Sequence, residues 1–306
     1  MVISFFMPQT LASHTREFLQ YLQYQKRYSR HTIISYENDL AAFTSFLTLQ
    51  FGTLTLDEIK SAYVRSWLAS LKETGITSKT INRKISTLKS FFKYHIRKEA
   101  ILISPMSVIS SPKVGKRLPQ YVEQKDIEVL FRHVEFPDSW EGKTDRLILQ
   151  IFYSAGIRQA ELLNLQQNQI DVRNSTIKVL GKGSKERIIP ISSELGRLIS
   201  TYKDEKKLLF GLVDHNFLLV SSKGKKLYPR YIYSAVNKYL SMVSTIDKKS
   251  PHILRHTFAT HLTNNGADIN AVKELMGHSS LAATQVYTHN SIEKLKEAFK
   301  KAHPKA

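Results

Sequence analysis

One stretch limits the architecture more than any other. ISPMSVISSPKVGKRLPQ, residues 103–120, holds three prolines, four serines and a glycine. Proline removes a backbone donor and pushes its predecessor out of the helical region, so neither a long helix nor a central strand can run through it. Periodic sequence lies on both sides. The stretch therefore reads as an interdomain linker over 104–120, between one domain over 1–103 and a second over 121–306. A chain of 306 residues is long enough to bury two such cores.

Residues 1–103 read as helices joined by short turns. In SRHTIISYENDLAAFTSFL, Ser29 or Thr32 can cap a helix in which Ile33, Tyr36, Leu40, Phe43 and Leu47 recur at helical spacing. Further helices fit DEIKSAYVRSWLASLKE, ending before Gly75, and SKTINRKISTLKSFFKYHIRK. In the last, Ile81, Ile85, Leu88 and Phe92 form one stripe, while Lys89, Lys93 and Arg97 fall at i, i+4 and i+8 on another face. Beyond the linker helices resume, and then STIKVL, the turn GKGSK and ERIIPIS read as a hairpin. From about residue 227 to the end the pattern is helical again. The expected fold class is mainly α with a small β-sheet (α+β).

The charge narrows the partners. Forty-five Lys+Arg against 26 Asp+Glu leave +19, which calls for a polyanion, either nucleic acid or an anionic membrane surface. Residues 1–110 carry +7 and the remainder +12, as expected if two domains grip one polyanion. Lys89, Lys93 and Arg97 are thus DNA-binding candidates, set against the plainer reading of a solvated helix face. No apolar run approaches the roughly 18 residues that span a bilayer. The opening MVISFFMPQT has no basic n-region or cleavage pattern and reads as a chain start, not a signal peptide. The lack of cysteine excludes disulfides, thiol nucleophiles and Cys-ligated zinc, and suits the cytoplasm.

Four short clusters bear chemistry. In HILRHTFATH, residues 252–261, His252 and His256 stand four apart as metal ligands on a helix can. Ser250 and Pro251 mark a helix start, however, which places His252 and Arg255 where free N–H groups favour anions. An arginine between the two histidines, and no acid before Asp268, argue against a cation; a zinc-protease helix would need Glu where Ile253 stands. His256 and His261 read as packing or capping residues. In LMGHSSLAATQVYTH, Gly277 can end one helix, with His278 at the joint and Tyr287 nine residues on. In SAGIRQAELLNL, Glu161 lies one turn after Arg158 and can pair with it; alone this is an ordinary helix start with a surface ion pair. The GKGSK turn lacks the upstream glycine of a phosphate-binding loop, and Lys182 on its tip is either solvated or, folded into a groove, a mobile proton donor.

Together these clusters resemble the tyrosine recombinases, the phage-integrase-like family. The order G-x-R-x-x-E-L, G-K-G hairpin, H-x-L-R-H, G-H and Y is that family's, and HILRHTFATHL, MGHSSLAATQVYTH and the terminal LKEAFKKAHPKA are similar to bacterial Xer-type members. Departures are small: Met276 where Leu is usual, and Ala160 where Ser is common. The resemblance implies a helical core-binding domain followed by a catalytic domain. It implies Tyr287 as nucleophile, Arg158 and Arg255 on the non-bridging oxygens, and Lys182 as acid to the leaving 5′-oxygen. His252 would be the base, His278 a hydrogen-bond donor to the phosphate, and Glu161 would orient Arg158. No metal or other cofactor and no ATP is expected, because a 3′-phosphotyrosyl bond conserves the energy for rejoining. The implied partners are a DNA recombination site and a tetramer on two duplexes, either a homo-tetramer or a hetero-tetramer with a second Xer-type recombinase. Ile292, Leu295 and Phe299 give the tail, about 290–303, an apolar face expected to dock on a neighbouring protomer. The implied role is resolution of chromosome dimers. A mobile-element integrase, a type IB topoisomerase and an inert DNA-binding relative remain the alternatives.

Overall fold

A computed structural model describes residues 10–115, 120–181, 186–211, 216–277 and 289–304, with the side chains of the last helix from Leu295 onward. The chain divides into two units, Met1–Arg117 and Leu118–Ala306. No described helix is long and apolar enough to cross a membrane.

The first unit is built on α1 (Leu11–Gln20), α2 (Arg30–Phe51), α3 (Ser61–Glu73) and α4 (Ser78–Arg97). Each start has a physical cause. Ser29 Oγ accepts the Thr32 N–H at 3.3 Å and Thr77 Oγ1 the Thr80 N–H at 3.4 Å, satisfying donors that a helix leaves orphaned. Leu40, Phe43 and Leu47 of α2 are buried against Ile81, Ile85, Leu88 and Phe92 of α4, with Ile33 and Tyr36 partly buried at the margin. A polar tie crosses the same interface. The buried Asp39 carboxylate accepts from Thr87 Oγ1 at 2.9 Å and Lys84 Nζ at 3.0 Å, and also pairs with Arg83. The expected linker begins later than its prolines suggest. Met106 and Ile109 are buried in this first core, because a chain can pack apolar side chains without regular backbone structure.

The second unit surrounds α6 (Trp140–Ala155), whose Leu147, Ile148, Leu149, Ile151 and Phe152 are all buried. A helix apolar on every side belongs at a centre. Around it lie α5 (Gln124–Arg132), the short α7 (Gln159–Leu163), α8 (Ser193–Phe210), α9 (Pro229–Val243), α10 (Pro251–Asn264) and α11 (Ile269–Met276). The expected hairpin forms strands β2 (Thr176–Leu180) and β3 (Glu186–Pro190), and β1 (Ile170–Asp171) completes an antiparallel sheet in the order β1-β2-β3. Its register sets Ile177 opposite Ile189 and Val179 opposite Arg187. Lys182 at the tip lies outside the described residues.

In the single chain, α12 (His289–Ala302) packs on its own unit. Leu295, Phe299 and Ala302 are buried in the core of their own unit, and Asn265 donates to the Ala302 carbonyl at 2.8 Å. The same apolar face is the one expected to dock on another protomer. Within the single chain, Leu262, Val272 and Leu275 belong to the same core and supply the apolar wall.

Candidate active site

Two left-handed glycines shape the site. Gly156 ends α6 at φ +57° and Gly277 ends α11 at φ +61°, a backbone region that glycine enters without steric cost. Both present carbonyls to arginines. Arg255, one turn into α10, donates to the Gly156 carbonyl and to the Met276 carbonyl. Arg158, the N-cap of α7, donates through Nη2 to the Gly277 carbonyl at 2.8 Å. Residues far apart in sequence are thereby locked side by side.

Glu161 holds the arrangement from behind. One carboxylate oxygen accepts Arg158 Nη1 at 2.8 Å, and the other accepts the Arg158 backbone N–H at 2.7 Å. The pair expected at the surface is largely buried, because a third cation covers it. Arg187 of β3, only 4% exposed, grips both oxygens of Glu161, each at 2.8 Å, and donates through Nε to the Leu275 carbonyl at 2.8 Å. Burial by itself would raise the Glu161 carboxyl. The Arg187 hydrogen bonds, the Arg158 backbone N–H and the charge of Arg187 outweigh it and hold the group at about 2. Arg255, 6% exposed, is lowered to about 10 by burial, then by the charges of Arg158 and Arg187. Three guanidiniums therefore face one carboxylate among the described residues.

Arg187 is the residue that sequence reasoning missed. It sits on the inward side of an alternating strand, two residues from buried Ile189. A cation on the buried side of a period-two pattern was the available signal.

His252 lies exposed on α10, three residues before Arg255. Both line a groove of about 670 Å³ between α10 and α11, together with His256, Lys273 and Met276. The Ser250 hydroxyl makes no capping bond at the start of α10, although its carbonyl accepts the first helical N–H groups. His261 is turned inward, its Nδ1 3.1 Å from the Tyr153 hydroxyl, and burial lowers its pKa. His278 and Tyr287, like Lys182, lie outside the described residues. In the other unit, Lys89 and Lys93 are exposed along α4, while Arg97 donates to the Tyr21 hydroxyl at 2.9 Å and lies over that ring.

Comparison with known proteins shows the family. Residues 120–294 match the phage integrase family, and residues 15–99 match its N-terminal SAM-like domain. The Tyrosine recombinase XerC of Chlorobaculum parvum is 34% identical over 94% of this chain and 94% of its own. That of Staphylococcus aureus strain MRSA252 is 36% identical over 96% of this chain and 98% of its own. In fold, the chain is similar to XerH site-specific recombinase bound to palindromic difH substrate. The TM-score is 0.71 at 24% identity, covering 93% of this chain and 83% of that one. It is also similar to the Tn1549 transposon integrase in complex with circular intermediate DNA, with a TM-score of 0.70 at 20% identity over 93% and 98%.

The family match over most of the chain and the identity to these relatives show that this chain belongs to the phage integrase family. Within that family it is a tyrosine recombinase of the Xer type.

Proposed function

We propose that the chain cuts DNA at a specific site and rejoins it to another duplex through a 3′-phosphotyrosyl intermediate. One observation carries this reading: Arg158 and Arg255 are aimed by backbone carbonyls, three arginines share the single Glu161 carboxylate and keep a cationic excess, and Arg255 lines an open groove. Two guanidiniums suit the non-bridging oxygens of a phosphodiester, whose charge grows as the transition state forms. Tyr287 then attacks phosphorus, the phosphorus–O5′ bond breaks, and Lys182 gives its proton to the departing oxygen. His252 takes the tyrosine proton, and His278 donates to a phosphate oxygen. Glu161 orients Arg158. The reverse attack by a 5′-hydroxyl of the partner strand restores the diester and frees Tyr287, so the bond count is conserved and no nucleotide is consumed.

Recombining two duplexes breaks four strands, and each chain offers one nucleophilic tyrosine. We infer a tetramer on two recombination sites, formed by this chain alone or with a second Xer-type recombinase. The helices of 1–103 would grip the same DNA, with Lys89, Lys93 and Arg97 toward the phosphates. The close match to Tyrosine recombinase XerC over nearly the whole chain supports a cytoplasmic role in resolving chromosome dimers.

A duplex nicked beside the cleavage point tests the chemistry, because the short 5′-hydroxyl fragment diffuses away and strands the covalent complex. Wild type should accumulate the adduct and Tyr287→Phe should give none. An adduct with Tyr287→Phe would remove Tyr287 from the mechanism.

A further inference from the structure

Three arginines end on one helix terminus. The last carbonyls of an α-helix lack intrahelical partners and carry the negative end of its dipole. At the end of α11 these carbonyls are taken in sequence: Leu275 by Arg187, Met276 by Arg255 and Gly277 by Arg158. Arg255 lines the groove, and Arg158 keeps a side chain one-third exposed. Arg187 differs, since it is buried and all its nitrogens are engaged inside the protein.

We propose that Arg187 is a positioning residue for phosphodiester cleavage, aiming Arg158 by neutralising Glu161 and fixing the end of α11 from which the chain passes to His278. This rests on the catalytic reading of Arg158 given above. Glu161 has two oxygens and one charge. With Arg187 gripping both oxygens, Arg158 needs to give the carboxylate only Nη1 and its backbone N–H, and its Nη2 goes to Gly277. Without Arg187 the buried carboxylate has one cation left. It draws the whole guanidinium of Arg158 toward itself, and the scissile phosphate must then compete with Glu161 for that group. Lysine cannot replace Arg187, because a single ammonium cannot span two carboxylate oxygens and a carbonyl in the fixed directions of a guanidinium fork.

The test is single-turnover cleavage of the nicked duplex at saturating DNA, with binding measured separately. Arg187→Met should lower the cleavage rate constant about 100-fold, the scale of loss from a small misplacement of a reacting group, while DNA affinity stays within about threefold. Arg187→Lys should recover only part of that loss. Adding Glu161→Gln to Arg187→Met should raise the rate above the single variant, since it removes the charge that captures Arg158. A purely structural role would lower the active fraction and the melting temperature and leave the rate constant of folded molecules unchanged; that result overturns the proposal. If Arg187→Met fails to fold, Arg187→Lys decides alone: a reduced rate constant at unchanged affinity supports the proposal, and a wild-type rate constant defeats it. Tyr287→Phe separates the two readings. An adduct in that variant would sink the site assignment itself, whereas a dead Tyr287→Phe beside a fully active Arg187→Met would sink only the positioning role.

Discussion

Replacing Gly156 with alanine strikes the joint between α6 and the arginine cluster. The backbone there has φ +57°, and an added Cβ would stand 2.3 Å from Phe258 Cδ1 and 2.7 Å from its Cε1. Two costs follow. An L-residue in the left-handed region loses about 1–2 kcal/mol. Phe258 is wholly buried in α10, so its ring must push neighbours aside, and such overpacking costs about 1–3 kcal/mol. The total of about 2–5 kcal/mol lowers the melting transition of the second unit by roughly 5–15 °C. Gly266→Ala is the matched control in the same unit. Its φ is +86° but no atom lies within 4 Å of the added Cβ, so it isolates the backbone cost. Full-chain thermal unfolding of both variants, repeated in a Phe258→Ala background, completes a double-mutant cycle. The excess of Gly156→Ala over Gly266→Ala should vanish once the ring is gone. An excess that persists, or Gly156→Ala no worse than its control, would refute the steric argument.

Two further outcomes belong to the first unit. His14 and His95 meet edge to face with ring centroids 4.8 Å apart, and burial, then the charge of His14, lowers the fully buried His95 to about 4. Unfolded imidazole titrates near ~6.5, so below that pH the unfolded chain binds a proton that the native unit refuses; stability, complete above that point, falls by up to about 3 kcal/mol as pH drops toward 4. Urea melts of wild type and His95→Phe across that range should diverge in slope, and parallel slopes would show that His95 is not held neutral. On the exposed face of α4, Lys89→Ala and Lys93→Ala should each weaken DNA binding evenly across sequences and reduce the salt slope of log Kd by about one. An unchanged slope would take that face off the phosphate backbone.

Much of the first unit was legible because its signals are local. Ser29 caps α2, and Leu40, Phe43, Leu47, Ile81, Ile85, Leu88 and Phe92 bury where a 3.6-residue period puts them. The hairpin was legible for the same reason. Asp39 was not, because its value depends on Arg83, Lys84 and Thr87 arriving from another helix. Arg158 and Glu161 could be paired from their spacing, but nothing local says that the pair is buried. That fact comes from Arg187, 26 residues away from Glu161. Likewise the groove that receives Leu295 and Phe299 exists only after α10 and α11 have packed.

The acceptors chosen by the arginine cluster explain why such a site can wait for an anion. A guanidinium must satisfy its N–H groups in fixed directions or pay for burial. Carboxylates would do so but would cancel the charge, and an incoming phosphate would have to displace them. Carbonyls orient the donors and leave the net charge in place. Of the four side-chain hydrogen bonds that Arg158 and Arg255 make, three go to the backbone oxygens of Gly156, Met276 and Gly277, and the fourth, from Arg158 Nη1, goes to Glu161. The Glu161 carboxylate is bound on both oxygens by the buried arginine, Arg187. Arg158 and Arg255 thus keep a charge that the protein has aimed but not neutralised, and only a ligand of opposite sign completes the balance.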